Sequence, residues 1–285
     1  MSVPDTSDQQ PPSWLYSPRT AFPRTGTDAA RDFYLTFASI TQFALYVVRM
    51  ASHISQISES AREALFDTAH TDAERDKYQP SEDPPGPLVE LAYHRQFFIG
   101  ILLVRHVENY LNYLSSFLFE IFTQRPECMK SSEKVDLEFL LEHESMETLV
   151  HGIAKRKVES LSYSSFSALA SFFEDHFSLS ICPAEHFEVV NEGIETRNII
   201  VHNRCVINRR YVEKTGDKLD RVGEHRDLYE SDLAGLIPIL FEAVKSLDRT
   251  ARRHLGIRGH RFDITKILSA EYASARKRML KAAAP

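Results

Sequence analysis

The chain has 285 residues, of which 43% are apolar and 26% charged, a composition typical of globular proteins and too apolar for a disordered one. Its 34 basic and 40 acidic residues give a formal charge of -6, so the chain as a whole is not a basic nucleic-acid-binding protein. The 10 glycines are few, which disfavours an all-β sandwich and a glycine-rich nucleotide site. Three cysteines are too few for a disulfide scaffold and suit a reducing compartment, so we expect a cytoplasmic protein.

The sequence pattern of the N-terminal region predicts an arm followed by a long helix. Residues 1–27 are polar and proline-rich, which is typical of a loosely ordered arm and unlike a secretory signal. Residues 28–69 show helical apolar spacing, with Asp28 as the expected N-cap. The segment 33–50 approaches the length of a membrane span but contains polar residues, including Arg49, so we expect a core helix and no membrane partner.

A second long helix is predicted after a proline-rich loop at residues 80–87. Between Leu88 and Phe122 the apolar residues recur every three or four positions, which predicts a buried stripe. This stripe comprises Phe97, Ile101, Val104, Val107, Leu111, Leu114, Leu118 and Ile121.

The remaining patterns are also helical. Helices are predicted at 146–161 and 166–177, after Pro183 with a buried stripe of Phe187, Val190, Ile194 and Val201, after Ser231 as N-cap, and at 264–279; residues 208–230 are rich in turn signals. The predicted fold is therefore an all-α antiparallel helix bundle with short connections. We divide it into the arm (1–27), the bundle (28–255, core about 88–250) with its additional N-terminal helix, and a basic C-terminal tail helix (256–285).

The helix that Pro183 opens ends in Glu-Thr-Arg-Asn-Ile-Ile-Val-His-Asn-Arg, residues 195–204. Arg197 and His202 are five residues apart, which in a helix means about 140° around the axis and about 7.5 Å along it. This spacing lets the two side chains flank a phosphate-sized gap at a groove edge, and a two-fold copy would double the set. Arg249 and His254 have the same spacing, so the spacing alone is weak evidence.

The setting of the first pair is more specific, because Asn198 follows the arginine and Asn203 follows the histidine. This stretch resembles the HEPN superfamily of helical-bundle proteins, whose ribonuclease members carry an Arg, a polar residue and a His four to six residues after the Arg. The resemblance covers about residues 96–211 and is most specific over 197–211. It implies a homodimer that cuts RNA without a metal at a composite interface site, with Arg197, Asn198 and His202 as catalytic residues and roles in toxin–antitoxin systems or antiviral defence.

These residue types fit RNA cleavage on chemical grounds as well. Attack by the 2′-hydroxyl needs a base, an acid for the leaving 5′-oxygen, and positive charge near the phosphorane. Histidine can serve as base or acid, and the position of His202 near a helix C-terminus favours its protonated form. The guanidinium of Arg197 presents a planar fork to phosphate oxygens, and Asn198 can orient a hydroxyl or the histidine.

Structural roles compete with these functional ones. Arg197 and His202 can instead cap the helix C-terminus, Asn198 can be a buried amide bonded to backbone, and Asn203 can end the helix. Asn203 and Glu108 are supporting candidates, with Glu108 able to orient Arg197 through a charge-assisted bond or to remain a solvated carboxylate. The alternative function is a non-catalytic helical dimer or adapter that binds RNA or a protein partner.

The distribution of charged residues along the chain is more informative than the net charge of the whole chain. Residues 197–226 carry eight basic and four acidic side chains, and residues 249–281 carry ten against two. This indicates a positive strip at the motif and tail that can hold RNA, with Arg204, Arg209 and Arg210 as weak binding candidates. The tail can equally be a solvated amphipathic helix that packs Ile267, Leu268 and Tyr272 on the bundle. No metal-site spacing and no cofactor motif occur, so we expect neither, and the expected partners are RNA, a second copy and an antitoxin or regulatory protein.

Overall fold

The computed structural model describes residues 22–79, 86–130 and 136–282. These residues form eleven α-helices and one two-stranded antiparallel sheet, so the predicted all-α fold is confirmed. The helices are α1 (Asp28–Asp67), α2 (Asp72–Tyr78), α3 (Pro87–Tyr93), α4 (Arg95–Gln124), α5 (Leu137–Leu141), α6 (Met146–Ser162), α7 (Phe166–Phe177), α8 (Phe187–Asn203), α9 (Arg209–Thr215), α10 (Glu230–His254) and α11 (Ile264–Ala282). The strands are β1 (Thr25–Gly26) and β2 (His260–Arg261), with Thr25 opposite Arg261.

Helix α4 is the centre of the bundle and packs against α1, α6, α8 and α10. Many of its buried residues come in adjacent pairs that recur every three or four positions, such as Leu102 with Leu103 and Phe117 with Leu118. Such pairs make an apolar face wide enough to contact several helices at once.

The chain enters the bundle before the predicted boundary at residue 28. Phe22 packs against Tyr34 and Phe241, β1 pairs with β2, and Thr27 is buried. The prediction of a loose arm is therefore wrong for residues 22–27, and residues 1–21 lie outside the described part. Thr27 also replaces Asp28 as the N-cap of α1, because its hydroxyl accepts a hydrogen bond from Ala30 N at 3.2 Å.

The buried face of α1 extends from Ala29 to Ala51, and most of its last four turns are exposed. By length and composition α1 would pass as a membrane-spanning helix, and so would α3 and α4 if they formed one bent span. A core helix of a soluble protein has the same features, so the expected absence of a membrane partner stays a prediction.

The predicted helix from Leu88 to Phe122 is two helices, α3 and α4, which meet at His94 with a bend of 68°. Helix α3 packs on α1, where Leu88 N donates to Ser55 Oγ at 3.2 Å, and α4 turns into the core. Helical periodicity continues through such a bend, so the sequence pattern does not reveal it. Of the predicted loop 80–87, residues 80–85 lie outside the described residues, Gly86 caps α3 and Pro87 is its first residue.

Three positions of the predicted core are on the surface instead. Phe97 is 72% exposed, Ile101 41% and Val201 46%. They have the spacing of a buried stripe, but the described chain places no helix over them.

The turn-rich stretch 208–230 contains a helix that was not predicted, α9, which Asn208 caps by accepting from Tyr211 N at 2.8 Å. Helix α10 begins one residue before the predicted cap, and Ser231 lies inside it. Its first turn is closed by the Asp232 carboxylate, which accepts from Tyr229 N at 2.7 Å. In the tail, Ile264 is buried and Leu268 packs on the core, whereas Tyr272 is exposed.

Candidate active site

A polar cleft of about 570 Å³ lies where α8 crosses α4 beside the turn between α6 and α7. Its walls include Glu108 and Asn112 from α4, the turn residues 162–164, and one face of α8. Of the predicted catalytic residues, Arg197, Asn198 and His202 all line it, as does the supporting candidate Glu108. We call this depression the polar cleft.

Arg197 is held from two sides. Its Nη2 donates to Glu108 Oε1 at 2.9 Å, and its Nη1 donates to Asn198 Oδ1 at 3.1 Å. The third nitrogen, Nε, is buried and has no hydrogen-bond partner within the described part of the chain. Of the two alternatives for Glu108, the structure shows the charge-assisted bond to Arg197, and this bond holds the guanidinium on the wall of the cleft.

Asn198 continues this network toward a buried carboxylate. Its amide nitrogen donates to Glu195 Oε2 at 3.2 Å, and Glu195 also lies 3.8 Å from Arg210 Nε. Glu195 is only 7% exposed, so these partners offset the cost of burying its charge. The alternative in which Asn198 bonds to backbone is not what the structure shows, because its amide links two side chains.

His202 lies in the last turn of α8, and its side chain is exposed to the cleft. It makes no hydrogen bond or ion pair with any other described residue, so the imidazole is open to a ligand. Arg197 and His202 are thus combined in one depression although they are about 140° apart on an ideal helix. The matched pair Arg249 and His254 does not line this cleft.

The end of α8 is fixed by a left-handed turn. Arg204 and Cys205 have φ angles of 51° and 62°, and Cys205 N donates to Ile199 O at 2.9 Å. Asn203 Nδ2 donates to Val206 O at 2.6 Å. Asn203 therefore fastens this turn and does not line the cleft, which fits its structural role better than its role as a supporting catalytic residue.

The three weak RNA-binding candidates occupy different surfaces. Arg210 lines the polar cleft, Arg209 is exposed outside it, and Arg204 lines a second groove on the other face of α8. They do not form one surface.

Part of the predicted basic strip is neutralised by ion pairs. Arg226 lies 2.9 Å from Glu192 and 3.2 Å from Asp232, and Arg221 lies 2.7 Å from Asp217. Burial by itself lowers the pKa of Arg226, but the hydrogen bonds to Asp232 and Glu192 outweigh it, so the pKa is raised. The local excess of positive charge in the sequence is therefore only partly available to a polyanion.

Sequence reasoning missed several residues of the polar cleft. Ser162, Tyr163 and Ser164 line it from the turn between α6 and α7, and Asn112 and Glu195 line it from α4 and α8. Asn112 is four residues after Glu108 and Glu195 three before Asn198, so helical spacing places each on the face of a predicted site residue. The serine-rich turn carries no comparable signal.

In the described ranges, no group of three or more His, Cys, Asp or Glu side chains is arranged to hold a metal ion. Comparisons of the chain with protein-family models, curated proteins and solved structures gave no match.

Proposed function

We propose that the protein is a metal-independent endoribonuclease that cleaves RNA through attack of its own 2′-hydroxyl. The observation that carries this proposal is the convergence of Arg197, Asn198 and His202 in one polar cleft, with the arginine held by Glu108. The proposal agrees with the resemblance of this segment to HEPN ribonucleases.

The roles follow from the contacts. Arg197 binds a nonbridging phosphate oxygen and stabilises the charge of the phosphorane, because its guanidinium carries a positive charge and N–H donors. Asn198 holds Arg197 in place and can orient a ribose hydroxyl. His202 transfers the proton, as base at the 2′-hydroxyl or as acid at the leaving 5′-oxygen.

One imidazole does not cover both proton transfers at the same time. Among the described residues that line the cleft, His202 is the one histidine. A second copy related by a two-fold axis would supply the other, so the proposal includes a homodimer with a composite site. The proposed setting is cytoplasmic, with RNA as substrate and a regulatory protein as a further partner.

The test is cleavage of a single-stranded RNA by the purified protein in EDTA, with the fragment ends analysed. We expect 2′,3′-cyclic phosphate and 5′-hydroxyl ends, and no cleavage when the 2′-hydroxyls are methylated, because the nucleophile is then blocked. Substitutions His202→Ala and Arg197→Ala should each lower the rate by about 100-fold or more. This is the size expected for a lost general acid or base at His202 and for lost electrostatic stabilisation at Arg197.

The chain supplies its own matched control in Arg249→Ala and His254→Ala, which remove a pair of the same spacing outside the cleft. At saturating RNA these variants should cut like wild type, because Arg249 in the basic strip can affect RNA binding but neither residue acts in the cleft. If wild type cuts no RNA, or if the control variants lose as much activity as the cleft variants, the nuclease proposal is wrong. A folded dimer that binds RNA without cutting it would favour the adapter function instead.

A further inference from the structure

A second depression, of about 550 Å³, lies on the other face of α8. Its walls come from the first three turns of α4, the last turns of α8 and residues 225 and 228. The lining includes Phe97 and Ile101 of α4, Val201 of α8, and Arg204. We call it the apolar groove.

The walls of the apolar groove are made of hydrocarbon. Phe97, Ile101 and Val201 are the residues that the sequence pattern places in the core and the structure leaves exposed. The polar atoms nearby are already used: the side-chain amide of Gln96 donates to Leu228 O at 2.9 Å and accepts from Leu228 N at 2.8 Å. The groove therefore offers its occupant almost no neutral hydrogen-bonding group, and apolar contact must supply most of the binding.

The basic side chains that line the groove differ in whether an acidic side chain lies close to them. Arg105 Nη1 lies 3.2 Å from Glu108, and His225 Nδ1 lies 3.8 Å from Asp227. Arg204 has no acidic partner within the described ranges. Arg204 lines the groove at the left-handed turn that ends α8, so one cation without an acidic partner among the described residues stands beside apolar walls.

From this geometry we propose that the apolar groove binds a free single-chain carboxylate amphiphile, of the medium-chain fatty-acid type. The hydrocarbon chain lies against Phe97, Ile101 and Val201, and the carboxylate pairs with Arg204. The volume lies within the roughly 300–1,000 Å³ range of small-molecule sites, and the apolar walls with one charged end match an apolar chain with one anionic head. The site is separate from the polar cleft, so its occupancy does not depend on the proposed nuclease function.

The first experiment is calorimetric titration of the full chain with dodecanoate below its micelle concentration, compared with dodecan-1-ol and dodecyltrimethylammonium. All three carry the same hydrocarbon chain and differ in head charge. We expect one site that binds dodecanoate about tenfold or more tightly than the other two, since an ion pair with hydrogen bonds distinguishes the heads. Equal affinity for the three heads, or no dodecanoate binding up to about 1 mM, would overturn the proposal.

Substitutions then place the site. Arg204→Gln should abolish most of the preference for dodecanoate, whereas Arg209→Gln, which removes an exposed arginine outside the groove, should leave it unchanged. Ile101→Glu should weaken dodecanoate binding at least tenfold by putting an anion on the wall, and Leu141→Glu at an exposed position of α5 is its matched control. Both glutamates replace surface residues, so circular dichroism should show all variants folded.

If Ile101→Glu binds dodecanoate as wild type does, the amphiphile lies elsewhere and the proposal fails. If dodecanoate does not bind and Ile101→Glu instead converts a dimer to a monomer, the groove is an interface between two copies. A chain that binds dodecanoate but cuts no RNA would keep this proposal and remove only the nuclease one.

Discussion

Two titratable side chains, the buried His106 and the half-buried Glu120, have opposite effects on stability as pH changes. His106 packs edge-on against Phe37, with ring centroids 5.0 Å apart, and burial lowers its pKa from 6.5 to about 4. Burial also raises the pKa of Glu120 from 4.5 to about 7, although Ala29 N donates to its carboxylate at 2.6 Å.

The signs follow from proton uptake in the two states. Between pH 6.5 and 4 the unfolded chain protonates His106 and the folded chain does not, so falling pH costs stability, at most about 3 kcal/mol. Between pH 4.5 and 7 the folded chain keeps the proton on Glu120 and the unfolded chain loses it, so rising pH costs stability.

Replacing either His106 or Glu120 should therefore leave only the pH dependence that the remaining residue causes. Relative to wild type, His106→Phe should make the free energy of unfolding fall more with rising pH, and Glu120→Gln should make it rise more. Urea unfolding from pH 4 to 7.5 measures both. Parallel pH profiles for wild type and both variants would contradict this assignment.

The three cysteines should differ in reactivity for the same physical reason. Burial raises the pKa of the Cys182 thiol to about 11 and raises those of Cys205 and Cys128 as well, but Cys128 is the least buried of them. With iodoacetamide at pH 8, Cys128 should be modified first and Cys182 last, as followed by peptide mass spectrometry. In denaturant the three rates should converge, and early modification of Cys182 in the folded protein would contradict the burial argument.

At the scale of elements, the contact between α8 and α10 depends on a missing side chain. A Cβ at Gly193 would lie 2.5 Å from Cδ2 of Leu236, which is buried in the core. Gly235, inside α10, has open space at the same position. Both glycines are within helices, so alanine brings each about the same gain of helix propensity.

The two substitutions should therefore have opposite signs. Gly193→Ala should destabilise the protein by about 1–3 kcal/mol through overpacking, and Gly235→Ala should stabilise it by about 0.5–1 kcal/mol. Denaturant midpoints at constant slope measure both changes. A gain of stability in both variants would show that Leu236 moves aside at little cost.

Elements also show where sequence patterns reach their limit. The spacing of apolar residues in the sequence located α4, α7 and α8, because the buried face of an amphipathic helix recurs every 3.6 residues whatever it packs against. It did not show the bend at His94 or the exposure of Phe97 and Val201, because both depend on which neighbours are present. It also missed α9, a seven-residue helix that depends on its Asn208 cap and on the buried Tyr211 and Val212.

At the scale of the whole molecule, Asp248 connects α10 to Thr27, the residue that caps α1. Its Oδ1 accepts from Thr27 N at 3.0 Å and from Thr27 Oγ1 at 2.7 Å, and Arg252 Nη1 lies 3.5 Å from its Oδ2. Thr27 and Asp248 are both buried, so removing the carboxylate leaves the Thr27 amide without its partner.

Asp248→Ala should therefore lower the free energy of unfolding by about 2–4 kcal/mol and increase hydrogen exchange in β1 and β2. Glu242→Ala is the matched control, since it removes a solvent-exposed pair with Lys245 in the same helix and should cost about 0.5 kcal/mol or less. Equal effects of the two substitutions would mean that the connection through Thr27 contributes little.

The sequence by itself determined the all-α fold, the approximate position of most helices, and Arg197, Asn198 and His202 as candidates, because helix periodicity and local motif context lie within a few turns of chain. Tertiary structure decided which side chains meet. Glu108 reaches Arg197 from 89 residues away, the side chain of Asn203 bonds within a turn, and Glu192 of α8 pairs with Arg226 of the basic strip. It also decided that one face of α8 lines a polar cleft and the other an apolar groove. Such contacts depend on the packing of elements far apart in sequence, which no local pattern records.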